Sequence, residues 1–320
     1  MITVKDMTKM YGEQRAVDNI SFTVKKGEIV GFLGPNGAGK TTTMRIITCY
    51  MLPTAGSVVV DDLDVQTDSL AVRQKIGYLP EHAPLYMDMN VVDYLRYVAE
   101  LRNIPKERQR QRIQEMIEVC GLRVELHKTI DQLSKGFRQR VGIAQAMIHD
   151  PEILILDEPT LGLDPNQIVE IRQLIKRLGR EKTVILCSHI LSEVQATCGR
   201  VIIIHRGKLV ADGTTENLQA EFQGKEKLFI EFKAPTNDSM AKVRTLEKVD
   251  EVRKVKAQGV GTQALQIESR RGDDIREAVF HLAVKEGWTI LEMHREVSSL
   301  EDVFRALTGG GAKPEAPQNN

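Results

Sequence analysis

Short runs of aliphatic and β-branched residues recur along the first two-thirds of the chain, each strand-length and bounded by polar or glycine-containing turns. Ile2–Met7, Ser21–Val24, Ile29–Leu33, Gly56–Val60 and Ile76–Leu79 read as strands in this way, as do Ile153–Asp157, Thr183–Cys187, Arg200–His205 and Lys208–Asp212. The early runs sit on tight turns such as Lys25-Lys26-Gly27, which predicts an antiparallel patch beside a parallel core. Between Val91 and Ile148 the apolar spacing becomes helical, over Val91–Leu101, Lys106–Cys120 and Arg138–Ile148. Residues 1–220 therefore read as an α/β domain with a helical subdomain inserted at about 85–150.

Past Leu218 the pattern changes. Strand Lys227–Lys233, helix Ser239–Glu247, strands Val252–Ala257 and Ala264–Glu268, helix Arg276–Glu286 and strand Trp288–His294 follow in order, with a last helix at Ser298–Leu307. The order βαββαβ is that of a ferredoxin-like unit, so residues 221–308 read as a second, small α+β domain. It carries no catalytic constellation, and His281, Trp288 and His294 read as packing residues. Residues 309–320 are low in hydrophobicity and read as a disordered tail.

Composition changes this picture little. Lysine plus arginine and aspartate plus glutamate are 44 each, so net charge gives no reason to expect nucleic acid as a partner. Cys49, Cys120, Cys187 and Cys198 are scattered without metal-ligand spacing and read as reduced thiols of a cytoplasmic protein. No apolar stretch approaches the roughly 18 residues of a membrane span, and the first residues lack the apolar core of a secretory signal. A soluble protein that is not exported is the expectation.

The chemistry begins at Gly34-Pro35-Asn36-Gly37-Ala38-Gly39-Lys40-Thr41, with Thr42 following. This is G-x-x-x-x-G-K-[ST], placed between a buried strand and a helix, the context in which backbone N–H groups cradle a nucleotide's phosphates. The glycines admit close approach, and the helix N-terminus points its dipole at the anion. Lys40 supplies charge for the β- and γ-phosphates, and the Thr41 hydroxyl is a hard oxygen suited to Mg²⁺. ATP with Mg²⁺ is the expected ligand, on a P-loop NTPase core. A second signal is Ile153-Leu154-Ile155-Leu156-Asp157-Glu158, an apolar strand that delivers two adjacent carboxylates to the end of a sheet. Asp157 is placed to hold Mg²⁺ and Glu158 to orient or deprotonate the attacking water.

A third signal precedes that strand. Leu133-Ser134-Lys135-Gly136-Phe137 opens an arginine-rich amphipathic helix and makes another anion-binding terminus. With these three motifs in order, residues 1 to about 220 resemble the ATP-binding subunits of ABC transporters, whose signature loop binds the nucleotide of the opposite subunit. The resemblance implies that Tyr11 stacks on adenine, that Ser134, Lys135, Gly136 and Phe137 meet the partner's ATP, and that Asp164 of Leu161-Gly162-Leu163-Asp164 crosses the dimer interface. It also implies that His189 contacts the γ-phosphate. Two positions depart from the family pattern. Glu81 stands where glutamine usually reaches the metal and the attacking water, and the signature reads LSKGF. Lys135 would then add positive charge beside the partner's phosphate.

These variants resemble the ABC-2 exporter branch, nearest to gliding-motility-associated and drug-exporting ATPases. The implied activity is MgATP hydrolysis by a head-to-tail homodimer, or a pseudo-dimer with a related ATPase. It would power a separate membrane-spanning permease docked near Leu85–Tyr97, on the inner face of the cell membrane. A competing reading is a soluble ABC ATPase acting on nucleic acid or the ribosome. Against it, no sustained heptads lie between Lys40 and Ser134, and the chain holds one ATPase unit. A third is a regulatory role for the C-terminal domain, which is compatible with transport.

Overall fold

The computed structural model describes residues 1–222, 226–234, 238–257, 259, 261–270, 272–296 and 300–308. The predicted tail at 309–320 lies outside the described residues, as do the first residues of the helix predicted from Ser298. Contacts divide the chain into two compact units, Met1–Thr215 and Glu216–Asn320. No helix among the described residues is long and apolar enough to cross a membrane.

The first unit begins with β1 (Ile2–Tyr11) and β2 (Gln14–Val24), a hairpin turned through Gly12. The following elements are β3 (Ile29–Leu33), α1 (Lys40–Ile47), β4 (Ala55–Val60), β5 (Leu63–Asp64), α2 (Ser69–Lys75) and β6 (Ile76–Leu79). Strands β2, β1, β4 and β5 form an antiparallel sheet in that order. Strand β1 runs on to Tyr11, past the predicted end at Met7, because register shifts carry the pairing through the polar stretch Thr8–Lys9.

The helical insertion supplies α3 (Val91–Leu101), α4 (Lys106–Val119) and α5 (Lys135–Met147). Helix α5 starts three residues before the predicted Arg138, because the Ser134 hydroxyl caps it, accepting from the Phe137 N–H at 3.3 Å. The chain then returns to the sheet through β7 (Ile153–Asp157), α6 (Pro165–Leu178), β8 (Thr183–Ser188), α7 (Leu191–Thr197), β9 (Arg200–His205) and β10 (Lys208–Gly213).

The second sheet of this unit runs β10-β9-β3-β8-β7-β6, parallel throughout except for the β10–β9 pair. Every residue of β7 and β8 is buried, which is why these strands are nearly uninterrupted apolar runs. Val30, Phe32, Ile155, Ile185 and Ile202 share one core with Ile46 and Ile47 of α1 and with Ile2, Val4, Val58 and Val60 of the antiparallel sheet. Because β3, β6, β7 and β8 are parallel, their carboxyl ends leave the sheet on one edge. In open α/β sheets that edge is where ligands bind.

The second unit follows α8 (Thr215–Phe222) with β11 (Glu226–Lys233), α9 (Ser239–Val243), β12 (Val249–Val255), β13 (Gln263–Ser269), α10 (Arg276–Lys285), β14 (Thr289–Glu296) and α11 (Leu300–Thr308). Its sheet is antiparallel in the order β12-β13-β11-β14, the arrangement of a ferredoxin-like βαββαβ unit. Helix α9 is shorter than the predicted Ser239–Glu247, because four-residue turns at Lys242–Thr245 and Val243–Leu246 close it, followed by left-handed Lys248. Trp288 packs in the core, stacked on Phe232 at 4.6 Å. His294 stacks on Phe229 at 5.0 Å and His281 meets Phe280 edge-on at 5.9 Å, but both are exposed, beside Glu292 and Glu277, so of the three Trp288 alone packs in the core.

Candidate functional site

The glycine loop joins the end of β3 to α1, and two of its glycines are there because nothing larger fits. A Cβ on Gly34 would lie 2.4 Å from the Ile204 carbonyl oxygen. One on Gly39 would lie 2.5 Å from the Ala16 carbonyl, at a φ of +108° that side chains disfavour. The loop bounds a cavity of about 740 Å³. Asn36, Gly37, Ala38, Gly39, Lys40, Thr41 and Thr42 line it, together with Tyr11, Glu81, Glu158 and His189. Gly34 and Pro35 are not among its lining; their carbonyls accept from Lys40 Nζ at 2.8 and 3.4 Å. The amino end of α1 thus opens on the cavity, with its unpaired N–H groups and its positive dipole end.

Strand β7 delivers its carboxylates to the same edge. Asp157 is fully buried, and neither of its side-chain oxygens has a hydrogen-bond partner. Burial pushes its pKa up to about 6, with the Glu158 and Glu81 charges raising it and Thr41 and Lys40 opposing. Glu158 is also buried and lies 3.5 Å from Lys40 Nζ through Oε1. Its Oε2 is 2.9 Å from His189 Nδ1, which follows β8. The Glu158 backbone has φ +51°, a strained value for a side-chain-bearing residue, and its N–H donates to the Cys187 carbonyl at 2.9 Å.

Two orphaned carboxylate oxygens, a nearby threonine hydroxyl and the Glu81 carboxylate are a hard-oxygen donor set that fits Mg²⁺. No group of three or more His, Cys, Asp or Glu among the described residues could hold a metal by itself. An ion held here would draw further oxygens from the nucleotide, as Mg²⁺ commonly does.

The signature residues are not gathered into this cavity. Ser134 and Lys135 are exposed at the start of α5, and Gly136 is buried against Gln167. The Lys135 ammonium lies against Gly162 of its own chain, where a Cβ would fall 2.2 Å from Nζ. Phe137 packs under Arg140 at 5.8 Å. Asp164 caps α6, its Oδ1 accepting from the N–H groups of Asn166 and Gln167 at 3.0 Å each. Tyr11 is 46% exposed at the mouth of the cavity, with Lys9 Nζ 5.6 Å from its ring. One chain therefore presents the phosphate-loop cavity and, apart from it, the exposed, Ser134-capped start of α5.

Sequence reasoning missed Gln14, Arg15, Ala16 and Arg206, which also line the cavity. Arg206 arrives on the β9–β10 turn, held there by the Gly207 N–H donating to the Ala38 carbonyl at 2.9 Å. No local pattern announces a residue brought in from so far along the chain.

The family model described as ABC transporter matches residues 17–161. The chain is 35% identical over 313 residues to the bacitracin transport ATP-binding protein BcrA of Bacillus licheniformis, covering 97% of this chain and 98% of that protein. It is 37% identical over 224 residues to the daunorubicin resistance ATP-binding protein DrrA3 of Streptomyces coeruleorubidus, covering 70% and 71%. A solved dimer of the ATP-binding cassette MJ0796, in a post-hydrolysis state with ADP and Pi, aligns with a TM-score of 0.62 at 29% identity, over 67% of this chain and 98% of that one.

Proposed function

Because the chain belongs to the ATP-binding subunits of ABC transporters, whose ATPase activity powers transport, we propose that it is the Mg²⁺-dependent motor of an exporter and works as a homodimer. The observation that carries this reading is the division of the site. The phosphate loop, Glu158 and His189 share one cavity, while Ser134 and Gly136 stand outside it and await a second chain's nucleotide. The names of the bacitracin transport and daunorubicin resistance relatives support export of drug-like cargo, and we further propose that the chain falls in the ABC-2 branch, near the gliding-motility-associated ATPases. The motor would sit in the cytoplasm against the inner face of the membrane.

In this reading Tyr11 stacks on adenine, and the N–H groups of Asn36–Thr42 hold the phosphates. Lys40 exchanges the Gly34 carbonyl for phosphate oxygens. Thr41, Asp157 and Glu81 would hold Mg²⁺, which when bound would supply neutralising charge to the phosphates. Glu158 accepts the proton of a water that attacks the γ-phosphorus as the bond to the bridging oxygen breaks. His189, oriented through Glu158, donates to the transferring phosphoryl group.

An aromatic surface beside Glu81 supports docking of the permease between the Glu81 segment and the helical insertion. Tyr86 is half exposed and packs edge-on against Tyr97 at 5.3 Å, while the Tyr94 hydroxyl donates to Gln145 of α5 at 2.6 Å. A groove of about 160 Å³ beside them is lined by Tyr50, Tyr78, Pro80, Pro84 and Arg102. Tyr86 and Glu81 would then report the permease's position to the catalytic edge.

The test is affinity purification of the Glu158→Gln chain from its own cell membranes in MgATP, with identification of what co-purifies. A multi-span membrane protein in stoichiometric yield is expected. Ribosomal proteins or DNA in its place would overturn the reading.

A further inference from the structure

Glu158 and His189 are carried by two different loops, one after β7 and one after β8, and hydrolysis depends on their mutual geometry. Behind them lies a carboxylate that no step above uses. Glu193, on the first turn of α7, is buried with 6% exposure. Its Oε2 accepts from the Thr160 hydroxyl at 2.6 Å and from the Ser188 hydroxyl at 3.2 Å. Both donors are buried, Ser188 completely. Thr160 is two residues past Glu158, and Ser188 immediately precedes His189. The Ser188 oxygen also accepts from the Ile190 N–H at 3.0 Å, which turns the chain around His189.

One oxygen atom therefore bridges the loop of Glu158 to the loop of His189. The bridge lies where the backbone needs it. Glu158 holds a left-handed conformation, and such strain persists only where the surroundings over-determine it. The Glu158 N–H bond to Cys187, the Leu161 N–H bond to the Glu158 carbonyl at 3.2 Å and the Thr160–Glu193 bond together pin the turn. Thr160 also sets the base of the Leu161–Asp164 loop.

We infer that Glu193 is a positioning residue for ATP hydrolysis, which holds Glu158 and His189 in register by clamping Thr160 and Ser188. This rests on the reading of Glu158 and His189 as the hydrolytic pair. A displacement of about 1 Å at a reacting group can cost on the order of a hundredfold in rate. A clamp that touches no nucleotide should act on kcat and leave binding alone.

The experiment measures steady-state ATPase activity and nucleotide binding of the full chain in MgATP. Glu193→Ala is expected to lower kcat by about 10- to 100-fold, with KM and ATP affinity held within about twofold. Glu193→Gln keeps an acceptor oxygen and should restore most of the rate. Thr160→Val should reproduce the loss and Thr160→Ser should not, and Glu193→Ala combined with Thr160→Val should be no worse than either alone. The Thr160 and Gln variants carry the test if Glu193→Ala does not fold. Full kcat in folded Glu193→Ala or in Thr160→Val overturns the inference, as does a loss shared equally by kcat and binding. Glu158→Gln separates the premise: if it still turns over ATP, the hydrolytic pair is misassigned and the clamp falls with it.

Discussion

His149 lies away from the nucleotide cavity, just past α5, with its Nε2 donating to the Ile76 carbonyl at 3.2 Å and its Nδ1 buried without a partner. Burial pushes its pKa down to about 4, with the Arg102 charge adding to this and the Ile76 bond opposing. The neutral imidazole is thus the folded form, while an unfolded chain takes up a proton near pH 6.5. Its contribution to stability is whole above about pH 6.5 and is lost as pH falls toward 4. The melting temperature should decline over that window, and His149→Gln should decline less; equal slopes in a thermal-shift series would remove His149 as the cause. At this scale legibility depended on how local the chemistry is. The loop Gly34–Thr41 and the pair Asp157–Glu158 are contiguous, so their spacing carried their chemistry. Glu193 looks like any helix glutamate until Thr160 and Ser188 are brought to it from two other segments. Lys135 could be singled out by its variant place, but its approach to Gly162 could not be read.

Helix α5 ends with no basic residue in its last turn, and the cation that meets its negative end comes from α4. Arg112 is 7% exposed and donates from Nε to the Ile148 carbonyl at 3.0 Å and from a terminal nitrogen to the Met147 carbonyl at 2.9 Å. Its other terminal nitrogen pairs with Glu115. Removing the guanidinium strips the Ile148 carbonyl of this donor and leaves the Met147 carbonyl with the Asp150 N–H at 2.9 Å, so Arg112→Met should cost about 1–3 kcal/mol. A lower urea midpoint with ATP affinity nearly unchanged is the expected outcome, and an unaltered midpoint would deny Arg112 this role. The elements themselves were legible where apolar periodicity matched burial. Helix α3 begins and ends where its spacing predicts, capped by the Asn90 side chain accepting from the Asp93 N–H. The predictions slipped where a side chain or a bulge overrode the pattern, as at the Ser134 cap of α5 and in the polar second half of β1.

The strand order of the whole sheet could not be read from the chain. Strand β3 pairs with β8 and β9, which lie far away in sequence, and only that pairing sets the glycine loop beside His189. The parallel direction of β3, β6, β7 and β8 then gathers Lys40, Glu81, Glu158 and His189 on one edge, and leaves the α5 terminus elsewhere. The second unit has its own antiparallel sheet and its own core around Phe232 and Trp288, and its βαββαβ order was legible because strand-length apolar runs such as Lys227–Lys233 are separated by helical stretches. In the proposed reading, a second chain completes a site divided in this way. The most direct measurement is sedimentation of the Glu158→Gln chain, and of the same chain carrying Ser134→Arg, in MgATP and in MgADP. The account predicts a dimer for Glu158→Gln in MgATP alone, and a monomer that still binds ATP once Ser134→Arg is added. A chain that stays monomeric in saturating MgATP, or a dimer indifferent to Ser134→Arg, would contradict it.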